Sequence, residues 1–224
     1  MLAIGSWLPN QCPLCLEVHS GDSWLCIPCL NTLPRLGPAC PRCAEPLPES
    51  RLCGACLDNP PPQQRTLAAL RYAPPVDQLI QALKFHDRLG LARDLGRLLA
   101  EAAAGAPEER PDAVLPVPLH RGRLRERGFN QALEIARVVG RHLDIPLCRG
   151  VRRIRATRVQ STLDARSRRS NLRAAFQARP GLPTHLAVID DVMTTGSTTA
   201  ALAQTLLAAG VSRVEVWVVA RAGR

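Results

Sequence analysis

The chain has 224 residues, a formal net charge of +10 and only 3% aromatic residues. This length accommodates one ordinary domain and a small second unit, with a core that must be mainly aliphatic. The apolar runs are too short to span a bilayer, which argues against membrane insertion. The opening residues MLAIGSWLPN lack the basic region and apolar core of a secretion signal, so we expect a cytoplasmic protein.

The positive charge is concentrated in one part of the chain. Residues 120–179 contain sixteen arginines and four acidic residues, a net charge of +12, whereas residues 1–60 have a net charge of −2. Such a concentrated block favours an anionic ligand or nucleic acid as the binding partner. A solvated arginine-rich face is the alternative interpretation.

Eight of the nine cysteines form four Cys-x-x-Cys pairs, which are separated by ten, ten and nine residues. In a reducing compartment such pairs indicate metal binding before disulfide formation. Two pairs complete one tetrahedral site, so the sequence predicts two structural zinc sites with no open position for catalysis. The spacing permits either sequential or interleaved pairing of these units. The predicted ligands are Cys12, Cys15, Cys26, Cys29, Cys40, Cys43, Cys53 and Cys56.

The stretch NPPPQQ at residues 59–64 follows the last cysteine pair. Consecutive prolines form a stiff, extended connector that is typical of a domain boundary. We therefore predict a cysteine-rich double zinc-ribbon domain at residues 1–60 and a larger domain at residues 66–224.

The larger domain alternates between strand-like and helical patterns. Its predicted elements, in chain order, are a strand at 66–73, a helical segment at 76–104 that is one long helix or two joined near Gly90, a strand at 113–119, helices at 130–143 and 164–176, a strand at 185–191, a helix at 197–210 and a strand at 213–222. Strands that alternate with helices imply an α/β fold, with a mostly parallel sheet flanked by helices.

Two adjacent carboxylates follow the apolar run HLAVI, and a tract rich in Thr, Gly and Ser comes after them. Ligands of open α/β sheets bind at the carboxyl ends of strands. The turn before the next helix offers N–H groups and hydroxyls to a phosphate, whereas the carboxylates need donors such as a sugar diol, or a metal ion. We therefore predict a ribose 5-phosphate ligand; helix capping by the acids is the simpler alternative. The residues are Asp190, Asp191, Met193, Thr194, Thr195, Gly196, Ser197 and Thr198.

The segment VIDDVMTTGST resembles the phosphoribosyl pyrophosphate (PRPP) signature of type I phosphoribosyltransferases. Four further features narrow the resemblance to one family within this group. They are PVPLHRGRLRERGFNQA at 116–132, VQSTLDARSRRSNLRAAF at 159–176, ALKFHDR at 82–88 and the N-terminal cysteine pairs. Together these features resemble the ComF/GntX-type family, which is associated with bacterial natural transformation. The resemblance covers nearly the whole chain, and it implies a type I phosphoribosyltransferase fold preceded by a double zinc ribbon.

The resemblance also implies roles for individual residues. Asp190 and Asp191 should contact the ribose hydroxyls, the turn at 193–198 should hold the 5′-phosphate, and Mg²⁺ should accompany PRPP. The implied pyrophosphate loop consists of Val117, Pro118, Leu119, His120 and Arg121. The implied anion-binding and flexible-loop residues are Lys84, Arg127, Arg158, Gln160, Arg166 and Asn171. Enzymes of this fold that act on 6-oxopurines carry an acidic base where this chain has Thr194, so hypoxanthine and guanine are poor acceptor candidates.

Three functions fit these features. The first is Mg²⁺-dependent transfer of phosphoribose from PRPP to an unidentified acceptor. The second is a non-catalytic sensor that binds PRPP or a nucleotide. The third, compatible with either, is a competence factor whose arginine block binds single-stranded DNA, with proteins of the competence machinery as further candidate partners. Aromatic residues are few, so they offer little stacking to bases, and we do not expect sequence-specific reading.

Overall fold

The computed structural model of the protein describes residues 10–85, 88–106, 109–155 and 175–223. The cysteine-rich segment contains little regular structure. Its elements are the antiparallel strands β1 (Asn10–Gln11) and β2 (Val18–His19) and the helices α1 (Ile27–Thr32) and α2 (Gly54–Asp58). Cys26 and Cys53 are the N-cap residues of the two helices, so a Cys-x-x-Cys pair lies at the start of each one.

The rest of the chain is an α/β fold built on one parallel sheet. Its elements are strand β3 (Arg65–Arg71), helices α3 (Val76–Phe85) and α4 (Gly90–Ala104), strand β4 (Ala113–Pro116), helices α5 (Arg121–Arg127) and α6 (Gln131–Leu143), strands β5 (Val151–Arg153), β6 (Phe176–Ala178) and β7 (His185–Met193), helix α7 (Ser197–Ala208) and strand β8 (Arg213–Arg221). The sheet order is β3-β8-β7-β4, with every neighbouring pair parallel. Strands β5 and β6 pair antiparallel outside this sheet. The predicted α/β class is confirmed.

Some element boundaries differ from the sequence prediction. The pattern at 76–104 forms two helices, and Gly90 is the first residue of the second. The strand predicted at 113–119 ends at Pro116, and Pro118 has no N–H to donate to a ladder. The helix predicted at 164–176 is wrong at its end, because Phe176 begins β6, and residues 164–174 lie outside the described part of the chain.

The sheet is covered on both faces, which explains why its central strands are apolar throughout. Along β8, Val214, Val216 and Val218 belong to one buried cluster, and Trp217 and Val219 belong to the other. Each cluster also contains cysteines of the N-terminal segment. The cysteine-rich segment is therefore part of the core on both faces. Within the described residues, no helix is long and apolar enough to cross a membrane.

The chain between the second and third cysteine pairs covers the edge strand β3. Leu36 N–H donates to the Ala69 carbonyl at 3.0 Å, and Arg71 N–H donates to the Pro34 carbonyl at 2.8 Å. Arg35 and Leu70 form an antiparallel bridge between these two bonds. Since an uncovered edge strand exposes unpaired N–H and C=O groups, these contacts complete the sheet on this side.

The first half of the cysteine-rich segment docks on α4. The buried Asp94 carboxylate accepts the N–H groups of Trp24 and Leu25 at 2.8 and 2.9 Å. Gly90 lets the Trp24 ring approach the start of α4, because a Cβ at this position would lie 1.8 Å from Trp24 Nε1. The contact therefore requires a glycine on one side and an aromatic ring on the other.

Candidate functional site

The eight paired cysteines form two clusters by sequential pairing. One cluster comprises Cys12, Cys15, Cys26 and Cys29, and the other comprises Cys40, Cys43, Cys53 and Cys56. All Sγ atoms within a cluster lie within 4.8 Å of one another, and one Sγ–Sγ distance in each is 3.6 Å. A tetrahedral site with Zn–S bonds of about 2.3 Å places its sulfurs roughly 3.8 Å apart. Both donor sets therefore fit a structural zinc ion, and the interleaved pairing is excluded.

Backbone N–H groups favour the thiolate at one cysteine of each cluster, whereas burial raises the pKa of Cys29 and Cys56. Burial acts to raise the pKa of Cys12, but backbone N–H groups of its own cluster segment outweigh burial and lower that pKa to about 6. The same opposition lowers the pKa of Cys40 to about 7, whereas burial raises the pKa of Cys43 to about 11. Because zinc binds the thiolate form, metal binding would complete deprotonation of the cluster.

The loops predicted to bind the ligand lie at one edge of the sheet, where β4 and β7 run side by side. These two strands are parallel, with Pro116 opposite Ile189. Val117 N–H continues the ladder by donating to the Ile189 carbonyl at 2.9 Å. The chain that leaves β4 and the chain that leaves β7 therefore enter the same region. Strand β7 is longer than predicted, since it continues past Asp191 to Met193.

The turn between β7 and α7 combines a left-handed glycine with exposed hydroxyl groups. Gly196, the N-cap residue of α7, has a φ of 76°, a conformation that favours glycine. Thr195 Oγ1 lies 2.8 Å from Ser197 Oγ, and both side chains are exposed. A cavity of about 60 Å³ is lined by Asp190, Val192, Met193, Thr194, Thr195, Gly196, Ser197, Thr198 and Thr199. The predicted phosphate residues thus share one small cavity, with Val192 and Thr199 as additions that the sequence pattern did not identify.

The two acids have different surroundings. Asp191 is buried, and its Oδ2 forms an ion pair with Nζ of Lys84 from α3. Asp190 is half-buried, and its Oδ1 accepts the Asp191 N–H at 2.9 Å. Burial, followed by the neighbouring Asp191 carboxylate, raises the pKa of Asp190 well above its ordinary range. One carboxylate is therefore paired with an ammonium group, and the other resists ionisation.

A polar network continues from Asp191 to helices α6 and α5. Gln131 Nε2 lies 3.5 Å from Asp191 Oδ1, and Arg127 Nη1 donates to Gln131 Oε1 at 2.7 Å. The Arg127 guanidinium lies over the exposed Phe85 ring, 5.2 Å from its centroid. Lys84 and Arg127 were among the predicted site residues. Gln131 and Phe85 were not, although they lie in the motifs GFNQA and ALKFH.

The predicted pyrophosphate loop connects β4 to α5. Its first residue, Val117, is buried, and the Val117 carbonyl accepts Nδ2 of Asn130 at 3.1 Å. His120 caps α5, because its Nδ1 accepts the Gly122 N–H at 3.2 Å. The half-buried and exposed members are Pro118, Leu119 and Arg121. The loop therefore places the Arg121 guanidinium and the His120 imidazole after β4, which is the strand next to β7.

Comparison with known proteins places the chain in a family. Residues 3–57 match the double zinc ribbon domain. The chain is 39% identical to the DNA utilization protein YhgH of Escherichia coli O6:H1, over 96% of this chain and 98% of that protein. It is 35% identical to competence protein F of Haemophilus influenzae, over 92% of this chain and 94% of that protein. The chain belongs to this ComF/YhgH family. A solved structure described as the allosteric regulatory enzyme of purine biosynthesis is also similar, with 23% identity and a TM-score of 0.37, over 57% of this chain and 25% of the solved chain.

In this ComF/YhgH-family protein, Asp190 and Asp191 (the acid pair) lie near the end of β7, and residues 193–198, which we call the phosphate turn after their predicted role, follow them. The loop after β4 leaves the neighbouring parallel strand. Lys84 and Arg127 lie beside them, on α3 and α5. The four remaining predicted residues fall within residues 156–174, which are outside the described part of the chain. They are Arg158, Gln160, Arg166 and Asn171.

Part of the arginine block borders the acid pair of the ComF/YhgH-family protein. Arg153 lies on β5, and its pKa is lowered by burial and by the neighbouring Arg123 guanidinium, whereas Asp190 raises it. Arg153 is therefore within electrostatic range of both groups. Lys84, Arg127 and Arg153 together give the acid pair a cationic surround, which suits a ligand that carries phosphates and a diol.

Proposed function

We propose that this protein binds PRPP, or a related ribose 5-phosphate, together with Mg²⁺, and transfers the phosphoribosyl group to a nitrogen acceptor. The observation that carries this proposal is the succession of acid pair and phosphate turn within residues 190–198, beside the loop that follows the neighbouring parallel strand. These features match three groups of one ligand: a ring diol, a 5′-phosphate and a pyrophosphate.

The 5′-phosphate would bind in the cavity before α7. This helix has 12 residues, and the N–H groups of its first turn, with the partial positive charge of the helix N-terminus, favour an anion there. The Thr195 and Ser197 hydroxyls are exposed at the same place and add donors. Asp190 also lines the cavity, so its carboxylate would face the ribose ring when the phosphate occupies the turn.

Ligand binding requires Asp191 to exchange partners. In the structure Asp191 contacts the Lys84 ammonium. A ribose hydroxyl, or a magnesium ion held by the ligand, would replace this contact and also allow Asp190 to ionise. The released ammonium would then lie beside the ligand phosphates, where Arg127 already supplies a second cation.

In the transfer reaction, the bond between the anomeric carbon and the pyrophosphate oxygen breaks, and its electron pair leaves with pyrophosphate. The acceptor nitrogen forms the new bond to that carbon and releases its proton to solvent. When bound, Mg²⁺ neutralises charge on the leaving group. The chain's own contribution is to hold the 5′-phosphate and the diol and to place Lys84 and Arg121 near the pyrophosphate. Thr194 carries a hydroxyl, so it supplies no carboxylate base to the acceptor.

The test is to incubate the zinc-loaded protein with Mg-PRPP and a panel of nucleobases and to follow pyrophosphate release. We expect release with at least one acceptor and its loss in Asp191→Asn. Asp77→Asn is a matched control, because Asp77 lies at the start of α3 and its Oδ1 accepts only a local N–H among its recorded bonds. Tight binding of PRPP without release from any acceptor would favour the sensor. Absence of binding would refute the proposal.

A second function, binding of single-stranded DNA, is supported by the arginines near β5 and by the names of the relatives, which are DNA utilization and competence proteins. Arg152 and Arg155 are exposed in this region. Contacts to phosphates release counterions, so affinity should fall steeply with salt. Charge reversal at Arg152, Arg153 and Arg155 should lower the affinity for single-stranded DNA and make that affinity less dependent on salt concentration. Affinity that is unchanged in the triple variant would refute this function.

A further inference from the structure

Arg221, the last residue of β8, is a buried cation that lies between the second cysteine cluster and the phosphate turn. Its side chain is 1% exposed. Nη2 pairs with Oε2 of Glu45 at 2.7 Å, and Nε donates to the carbonyl of Cys43 at 2.9 Å. Both acceptors belong to one knuckle of the second cluster, since Cys43 is a cluster residue and Glu45 follows it by two positions.

The remaining nitrogen of the same guanidinium faces the turn. Nη1 donates to the carbonyls of Met193 and Thr194 at 3.2 and 2.6 Å, and it also contacts the carbonyl of Ala222. The Ala222 N–H donates to the Met193 carbonyl at 3.0 Å. One rigid, planar fork therefore contacts the cysteine knuckle on one side and the first residues of the phosphate turn on the other.

Packing reinforces the connection. The Met193 side chain is 4% exposed and belongs to the same buried cluster as Cys40 and Cys43. Its methyl group lies against Gly196, because a Cβ on this glycine would be 2.8 Å from Met193 Cε. Packing therefore continues from the cysteines through Met193 to Gly196, the N-cap residue of α7.

We infer that Arg221 is a positioning residue through which the second cysteine cluster, when it holds its metal ion, maintains the conformation of the phosphate turn. A buried guanidinium is stable only while its acceptors stay in place. Two of those acceptors lie on a knuckle whose folding depends on metal. If the knuckle opens, Arg221 loses its counter-charge and can no longer hold Met193 and Thr194. The first cluster has no recorded contact of this kind among the described residues, so it should not share this role.

The first test uses hydrogen exchange of the zinc-loaded full chain. Arg221→Lys keeps a positive charge near Glu45 but loses the planar guanidinium that contacts Cys43, Met193 and Thr194 together. In this variant we expect hydrogen exchange in residues 193–199 to accelerate on the order of tenfold or more. Zinc content and exchange elsewhere in β7 should stay unchanged. Arg213→Lys is a matched control, because Arg213 pairs with Glu215 at the opposite end of β8. Unchanged exchange of 193–199 in Arg221→Lys would overturn the inference, and uniform acceleration along β7 would also count against it.

The second test separates the two clusters. Cys53→Ser removes a ligand of the second cluster, and Cys29→Ser removes one from the first, which is the matched change. We expect faster exchange of residues 193–199 in Cys53→Ser alone; an equal effect in both variants would overturn the inference. If wild-type protein fails to bind Mg-PRPP while this exchange pattern holds, the proposed function fails and the coupling stands. If Mg-PRPP binds but residues 193–199 do not exchange faster in Cys53→Ser, the coupling between the second cluster and the turn is refuted and the proposed function stands.

Discussion

Neutralising the two adjacent acids one at a time should shift stability in opposite directions. In Asp190→Asn the amide oxygen can still accept the Asp191 N–H, which now bonds to Oδ1 of Asp190 at 2.9 Å. In Asp191→Asn the Lys84 ammonium, whose side chain is 22% exposed, loses its carboxylate partner. We therefore expect Asp190→Asn to stabilise the ligand-free protein and Asp191→Asn to destabilise it.

The magnitudes follow from burial. The pKa of Asp190 is raised from an ordinary value of 3.8 by burial and then by Asp191, and each unit of raised pKa costs about 1.4 kcal/mol of folding free energy when the group ionises. Asp190→Asn removes this cost where the carboxyl would ionise, so we expect a higher free energy of unfolding in this variant. Breaking a fully buried ion pair costs about 3–5 kcal/mol. The partial exposure of Lys84 reduces this to roughly 1–3 kcal/mol in Asp191→Asn.

The pH dependence provides a second check. A carboxyl whose pKa is higher in the folded state binds its proton more tightly there, so its stabilising effect is present below pH 3.8 and is lost as the pH rises through the folded pKa. The advantage of Asp190→Asn should therefore grow as the pH rises above 3.8 and disappear in acid. Urea unfolding at several pH values measures it, and titration with Mg-PRPP should show weaker binding in both variants. Shifts of the same sign in the two variants would contradict the account of the acid pair.

Three further predictions concern other positions. Gly196→Ala should weaken Mg-PRPP binding, because φ is 76° and the new Cβ would lie 2.8 Å from the Met193 methyl group. Gly181→Ala is the matched control, with a φ of 73° and no atom within 4 Å of the new Cβ. It should lower the free energy of unfolding by roughly 1 kcal/mol through backbone strain alone and leave binding unchanged. Glu215→Ala should lower the free energy of unfolding, measured with urea, by about 3–5 kcal/mol. The reason is that this carboxylate is 1% exposed and accepts hydrogen bonds from the side chains of His185, Arg213 and Trp217. A smaller loss would contradict the importance of this buried network. Gly90→Ala should expose the first cysteine cluster to limited proteolysis, because it displaces the Trp24 ring, and unchanged protection would refute this docking contact.

Local patterns in the sequence predicted the features that depend on neighbouring residues. The Cys-x-x-Cys spacing indicates metal knuckles, because two thiols separated by two residues can chelate one ion. The acids and the hydroxyl-rich tract are consecutive, so their placement at the end of β7 and the start of α7 required only the recognition of one strand and one helix. The alternation of strands and helices was sufficient for the parallel sheet.

Contacts between distant segments were decided by the tertiary structure. Sequence spacing allowed two cysteine pairings, and the structure brings the pairs together sequentially. The ion pair of Lys84 with Asp191, and the contacts of Arg221 with Glu45 and Met193, join residues that no short pattern relates. The physical reason is that a local pattern determines which face of an element is apolar, whereas the sheet order determines which elements meet. That order arises from packing of the whole core.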